Sequence, residues 1–353
     1  MKKKIAILTF QSLDNYGQRL QNLAVQYIIQ RIVPQAEIDS IAVNYGQSSF
    51  MGRFLRHLSL LLRKKHRAMR KMRRSFLAFN RQNMRIKHGK AEYDGFGYDI
   101  VVTGSDQVWN PWLSDNELRM YRLGYVKDAR RIAVAPSLGY DDIPANKTEI
   151  YRECLDGLDF ISVREESGKV ALQPMTNQNV VRLIDPTLVL LAEEWKVFAT
   201  NSEYCQALTG NKEYLLYFVI NAVTDGVYEE ARRFAKKQGL NFIDIGEQNR
   251  MGNPISPSEW LGLVANARLT ITNSFHGICF SVVFHTDFIG YTRVFTKREG
   301  VDTRVLQLLD LLGIGDRFDN SVICYGKIDW KAVERVLADE RIRFIEYMRE
   351  ALQ

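Results

Sequence analysis

Short, nearly unbroken apolar runs alternate along this chain with longer stretches whose apolar residues recur every three or four positions. KIAILTF (4–10), IDSIAVNY (38–45), DIVVTG (99–104), RIAVAPS (131–137), DFISVRE (159–165) and VVRLID (180–185) are the runs of a first series. QRLQNLAVQYIIQRI (18–32) is the first helix-period stretch. A second series holds the runs EYLLYFVI (213–220), NFIDIG (241–246), LTIT (269–272) and DFIGY (287–291). Between them lie helical patterns at about 225–238, 258–267, from His276 onward and at about 302–312. A strand apolar on successive positions is one covered on both faces, and strands alternating with helices make parallel sheets. The pattern predicts an α/β chain of two Rossmann-like parallel-sheet domains facing a cleft. The expected bounds are 1–200 for the N-terminal domain, with a helical insertion at 50–85, and 210–325 for the second domain. One long helix at 328–353 follows. No internal repeat or low-complexity tract interrupts the pattern.

No segment approaches the ~20 unbroken apolar residues of a membrane span. The start MKKKIAILTFQSLDNYG has a short apolar run followed at once by polar residues, which reads as a first strand and not a signal peptide. Cys154, Cys205, Cys279 and Cys324 are far apart and form no CxxC pair, so a zinc site or disulfide framework is not expected and a reducing cytosol fits. Charge is unevenly placed. Residues 53–74 hold ten Lys or Arg and no acid; removing them from a net charge of +7 leaves −3 on the rest. Within that segment Phe54, Leu58, Leu61, Met69, Met72, Phe76 and Phe79 follow helical spacing, interrupted by Lys65. Two readings stand: a solvated helix pair packed on the N-terminal domain, or a patch that holds the protein against an anionic membrane. Nucleic acid is not the expected partner, because no binding motif accompanies the charge.

Ligands of an open parallel sheet bind beyond the carboxyl ends of its strands. Unusual polar residues fall there four times: Asp14-Asn15-Tyr16-Gly17, then Ser105-Asp106-Gln107-Val108-Trp109-Asn110, then Arg164-Glu165-Glu166, then Asn273-Ser274-Phe275-His276-Gly277. Each has a plain structural reading as a helix cap or turn. Arg164 can pair with Glu165, Glu166 or Asp185, or offer its fork to a carboxylate or phosphate. Four such ends spread over both halves point to one cleft.

At these motifs the chain resembles the polysaccharide pyruvyl transferase family, over most of its length. The resemblance is carried by Asn15-Tyr16-Gly17 with the Leu-Gln-Asn-Leu-Ala run after it, and by Gly104 to Asn110, the most specific string. Ser162-Val163-Arg164-Glu165, Ser274-Phe275-His276-Gly277, and Arg304 with the Leu-Leu run that follows complete it. It implies a GT-B-like double-Rossmann fold. It also implies transfer of pyruvate from phosphoenolpyruvate to a sugar diol of a surface polysaccharide or its lipid-linked precursor, giving a cyclic ketal and phosphate. No metal or further cofactor is implied. The implied donor residues are Arg164, Asn273, Ser274, His276, Gly277, and Arg293 or Lys297. His276 is the general acid or a donor to phosphate, and Arg164 binds the donor's carboxylate or phosphate. Asp106 is a base for the acceptor or its hydrogen-bond partner. The acceptor side is Asn15, Tyr16, Gly17, Asp106, Gln107, Trp109 and Asn110, with Trp109 stacking on a sugar ring. Some members carry Arg-Leu-His where Ser274-Phe275-His276 stand, and members nearer this one often carry Asp where Asn273 stands. Members also place a basic residue where Thr296 falls, beside Lys297 and near Arg293. A cytoplasmic protein, peripheral at the inner face of the membrane, is the expected location. The competing readings are a GT-B-like glycosyltransferase using a nucleotide sugar and a non-catalytic member of a polysaccharide assembly complex.

Overall fold

The structure is a computed structural model that describes residues 2–43, 63–89, 93–221, 223, 225–293, 303–319, 323, 326 and 328–353. Lys297 and residues 53–62 of the basic segment, Phe54, Leu58 and Leu61 among them, lie outside the described residues.

The chain forms two compact units. The first holds residues 1–186 together with 342–353, and the second holds 187–341. The division thus falls at Pro186, ahead of the 200–210 boundary expected from the pattern, and the C-terminal helix is not a unit of its own. In the first unit the strands are β1 (Lys4–Leu8), β2 (Glu37–Val43), β3 (Ile86–Gly89), β4 (Ile100–Thr103), β5 (Arg130–Ala133), β6 (Ile161–Val163) and β7 (Val180–Arg182). The first five form one parallel sheet in the order β3-β2-β1-β4-β5, and β6 pairs with β7. A parallel bridge from Ile132 to Phe160 ties the two sheets together. In the second unit β8 (Tyr214–Phe218), β9 (Asn241–Asp244), β10 (Leu269–Thr272) and β11 (Phe288–Gly290) run parallel in the order β11-β10-β8-β9.

The helices, in chain order, are α1 (Tyr16–Ile32), α2 (Arg63–Asn83), α3 (Asp115–Tyr121), α4 (Thr148–Leu155), α5 (Glu166–Leu172), α6 (Ala192–Lys196) and α7 (Glu203–Thr209). Then come α8 (Val227–Lys237), α9 (Ile245–Met251), α10 (Pro257–Ala265), α11 (Phe275–Val283), α12 (Thr303–Leu311) and α13 (Trp330–Leu352). Among the described residues no helix is long and apolar enough to cross a membrane.

Strand order fixes where ligands can bind. Chain order reverses between β1 and β4 in the first sheet and between β8 and β10 in the second, and such switch points open a crevice at the carboxyl ends. The central strands are buried on successive positions, as in a sheet covered on both faces: Ile5 to Leu8 and Val101 to Val102 are wholly buried. The edge strand β3 (IKHG) departs from that rule. It places Lys87 beside the buried Asp39 (2.8 Å), with Arg85 at 3.1 Å from the same carboxylate.

The described part of the basic segment is α2. Its apolar stripe faces inward: Ala68, Met72, Phe76 and Phe79 are buried, and the Phe76 ring lies 5.2 Å from that of Tyr16. Arg67, Arg70, Lys71, Arg73 and Arg74 are exposed. A helix that lies in a membrane surface needs a free apolar face. Ala68, Met72, Phe76 and Phe79 are thus already occupied by packing, whereas Met69, placed in the same stripe by the sequence, is exposed.

The end of α13 is anchored in the first unit. Tyr347 donates from its hydroxyl to Ala133 O (2.7 Å), and Lys3 Nζ caps the last carbonyls at Leu352 (2.7 Å) and Gln353 (2.9 Å). A cation is favoured at that helix end. Replacing Phe76 by Ala empties a fully buried site; we expect a loss of about 3–5 kcal/mol in chemical denaturation, with the exposed Leu77→Ala losing far less.

Candidate functional site

The first cluster lies at the carboxyl ends of β1, β4, β5 and β6. Thr9, next after β1, donates to Ser105 O (2.7 Å) and accepts from Gln21 Nε2 of α1 (2.9 Å). The Ser105 hydroxyl accepts from Arg164 Nη2 (2.9 Å) and faces both Asp185 Oδ2 (3.1 Å) and Ala135 O (3.0 Å) as acceptors. Arg164 Nε is 3.3 Å from Asp185 Oδ2, with both side chains nearly wholly buried. Of the carboxylates open to Arg164 in sequence, Asp185 lies within ion-pair distance of it. That ion pair matches its charge within the first unit.

Asp106 has a left-handed backbone, φ 84°, and its Oδ1 accepts from Gln107 N (2.8 Å). Its carbonyl accepts from Ser137 N (2.8 Å) beyond β5, where Ala135 is also left-handed at φ 48°. Strain of this kind persists only where surrounding bonds over-determine it. Gln107 is half-buried against Gly139, whose left-handed backbone at φ 70° favours glycine there.

Trp109 does not stand where the resemblance placed it. It is fully buried, its Nε1 donates to Tyr121 O (3.1 Å), and the Arg122 guanidinium lies 5.5 Å from its ring. It packs inside the loop, so no sugar reaches its face. The exposed ring of the same loop is Trp112, 59% exposed and edge-on to Tyr140 at 6.1 Å. Asn110 fixes it by accepting from Trp112 N (2.9 Å). Two aromatics in the string WNPW could be told apart only by which one follows the turn at Pro111. Asn15 is the N-cap of α1, accepting from Gln18 N (3.1 Å), while Tyr16 and Gly17 are buried, so this motif builds a helix start.

The second cluster lies at the switch point of the second sheet. Asn273 clips onto Ile220 with both ends of its amide, accepting from Ile220 N (2.7 Å) and donating to Ile220 O (3.0 Å). Ser274 is the N-cap of α11 and accepts from Gly277 N (3.3 Å). Thr272 Oγ1 donates to Phe218 O (2.6 Å) and accepts from Ser274 N (3.0 Å). A Cβ on Gly277 would approach that same oxygen to 2.5 Å, so α11 must pass the strand end as glycine.

These bonds hold His276 in the first turn of α11, 7% exposed. Helix N-termini favour anions. Arg293 reaches back to donate from Nε to Asn273 O (2.8 Å). Arg304 of α12 lies over the Phe275 ring at 5.3 Å. Two arginines thus accompany the histidine. Arg304 had no assigned role in the sequence reading, since nothing in linear spacing tied it to His276.

The fold is α/β in both units, and the second cluster sets a nearly buried histidine in the first turn of a helix at a sheet switch point. The polysaccharide pyruvyl transferase profile matches residues 15–293, and the chain belongs to that family. No curated protein matches the chain significantly. Among solved structures, S. aureus MnaA with UDP is 12% identical, with 99% of this chain and 91% of that chain covered and a TM-score of 0.51. E. coli ADP-heptose LPS heptosyltransferase II is 9% identical, with 96% and 99% covered and a TM-score of 0.38. The fold is GT-B-like, with parallel sheets in both units.

Gly277→Ala should destabilise the second unit by about 1–3 kcal/mol, because the Thr272 hydroxyl is already committed on two sides. Asp185→Ala, which removes the carboxylate 3.3 Å from the buried Arg164 guanidinium, should cost about 3–5 kcal/mol. Denaturant titration with each variant checks both values.

Proposed function

We propose that the chain transfers pyruvate from phosphoenolpyruvate to two hydroxyls of a sugar, forming a cyclic ketal and releasing phosphate. The observation that supports it most is His276 in the first turn of α11 with Arg293 and Arg304 around it, in a chain of this family. The donor carries a carboxylate and a phosphate on an enol ether. A proton added to C3 turns the methylene into a methyl group and leaves C2 electron-poor. One sugar hydroxyl bonds to C2, and the second then displaces phosphate there. Of the two hydroxyl protons, one balances the proton gained by C3 and the other leaves with phosphate.

Such a reaction needs cations for the donor and a proton source at C3 or at the leaving oxygen. Arg293 and Arg304 supply the first and His276 the second. Lys297 remains a candidate for further positive charge. Arg164, already matched by Asp185, is a weaker candidate for the donor than the sequence suggested. On the acceptor side Asp106, pinned at positive φ, is the candidate base. The exposed Trp112–Tyr140 pair replaces Trp109 as the candidate ring platform.

Phosphoenolpyruvate at ~100 times its Kd should stabilise the protein by roughly 2.7 kcal/mol, a shift read directly by thermal melting. His276→Ala should keep the fold and lower phosphoenolpyruvate-dependent phosphate release by roughly 10²–10⁴-fold. Arg293→Met should weaken the melting shift. Stabilisation by nucleotide sugars and not by phosphoenolpyruvate would replace this reading with a glycosyltransferase.

A further inference from the structure

A cavity of about 740 Å³ in the first unit has no role so far. It opens beside the loop after β1 and is lined by Phe10, Gln11, Arg19, Asn80, Arg81 and Tyr121, among others. Its size suits a small polar ligand.

The central observation is Arg19. Its side chain is wholly buried, and its guanidinium donates only to neutral oxygens: Gln11 Oε1, Gln11 O (3.1 Å) and Ser12 O (2.9 Å). Nε has no partner, and among the described residues no carboxylate pairs with it. Burial lowers its pKa to about 10, which still leaves it charged at neutral pH. A buried charge met only by carbonyl dipoles leaves a positive potential in the space next to it. Arg122, also buried, differs: it lies 3.3 Å from the Tyr151 ring centre, inside the core. At the cavity wall the exposed Arg81 adds to the positive side. Among the described lining residues the one carboxylate, Glu117, is engaged by Ser114 through N (2.9 Å) and Oγ (2.6 Å).

Two further atoms describe what else the occupant carries. Gln11 Nε2, a donor, and Asn80 Oδ1, an acceptor, are buried without partners, and both residues line the cavity. A hydroxyl accepts from the one and donates to the other. Phe10 and Tyr121, edge-to-face at 5.0 Å, form an apolar wall against which a ring can lie.

We infer that this cavity binds a sugar bearing an oxyanion. The oxyanion lies toward Arg19 and Arg81, and a ring hydroxyl bridges Gln11 and Asn80. Calling this sugar the acceptor rests on the pyruvyl-transfer reading; the binding itself does not. The oxyanion is either the phosphoryl group of a sugar phosphate or the carboxylate of a uronic acid.

The test uses the full chain and its Asn80→Leu and Arg81→Glu variants, both first checked for unchanged melting without ligand. Calorimetry is run with a panel of hexose 1-phosphates, the matching hexuronic acids, neutral methyl hexosides and phosphoenolpyruvate. The expected result is that one anionic class binds at least roughly tenfold more tightly than its neutral counterpart. Each variant should lose roughly tenfold, as expected for a lost hydrogen bond to a charged or buried group, with phosphoenolpyruvate binding unchanged. Which class binds decides between phosphoryl and carboxylate. Equal binding of methyl hexosides, indifference to both substitutions, or no binding by any sugar probe overturns the inference. Loss of phosphoenolpyruvate binding in the variants also overturns it, because the cavity is then the donor's. Sugar binding without phosphoenolpyruvate binding leaves the cavity assignment standing and removes the donor reading.

Discussion

Each unit depends on how it closes the carboxyl ends of buried parallel strands. A strand covered on both faces ends in backbone groups that neither water nor the next strand satisfies, and leaving them unmet is costly. This chain meets the need with short polar side chains placed within the strand ends or one or two residues past them. Thr9 and Ser105 join β1 to β4, and Ser162 accepts from Ala135 N (3.0 Å) beyond β5. In the second unit Thr272 and Asn273 join β10 to the end of β8. The same bonds that close the sheets set the positions of Arg164, Asp106 and His276. Sheet closure and site geometry are therefore one construction, and a change in either reaches the other.

The central strands and the long helices were legible because each repeats its period often enough to be read. LTIT is β10 itself, and α13 runs 330–352 within the expected 328–353. What escaped was short or one-sided. The edge strand β3 is half polar because one flank meets solvent and charged partners. Helices α3 to α7 are too short to complete a periodic stripe. Of these, α3 did carry a local sign: Ser114 and Glu117 make a reciprocal capping box, a spacing visible in sequence. The division of the units at Pro186 could not be read, because it follows from which sheet the segment after β7 packs on.

The site was legible in part. The motif positions do mark strand ends, as an α/β pattern requires. Side-chain roles within a motif were not readable, because burial separates neighbours that look alike on paper. Trp109 and Trp112 stand three positions apart, yet one fills the core and the other faces solvent. Asp185 was one of several possible partners of Arg164 in sequence, and only the tertiary structure sets it 3.3 Å from that guanidinium. The buried cation at Arg19 lies inside a helix period whose spacing alone does not mark it as buried.

The anchoring of α13 bears on how the protein is made. Phe344, Tyr347 and Met348 are buried, and the Lys3 ammonium beside β1 holds the helix's final carbonyls. The first sheet leaves the ribosome before the second unit does, yet it lacks part of its covering until α13 has been synthesised. Domains ordinarily fold in order of emergence. Here the first unit has to wait, half-clothed, while the entire second unit is translated. During that interval its uncovered apolar surface is what a nascent-chain chaperone would meet.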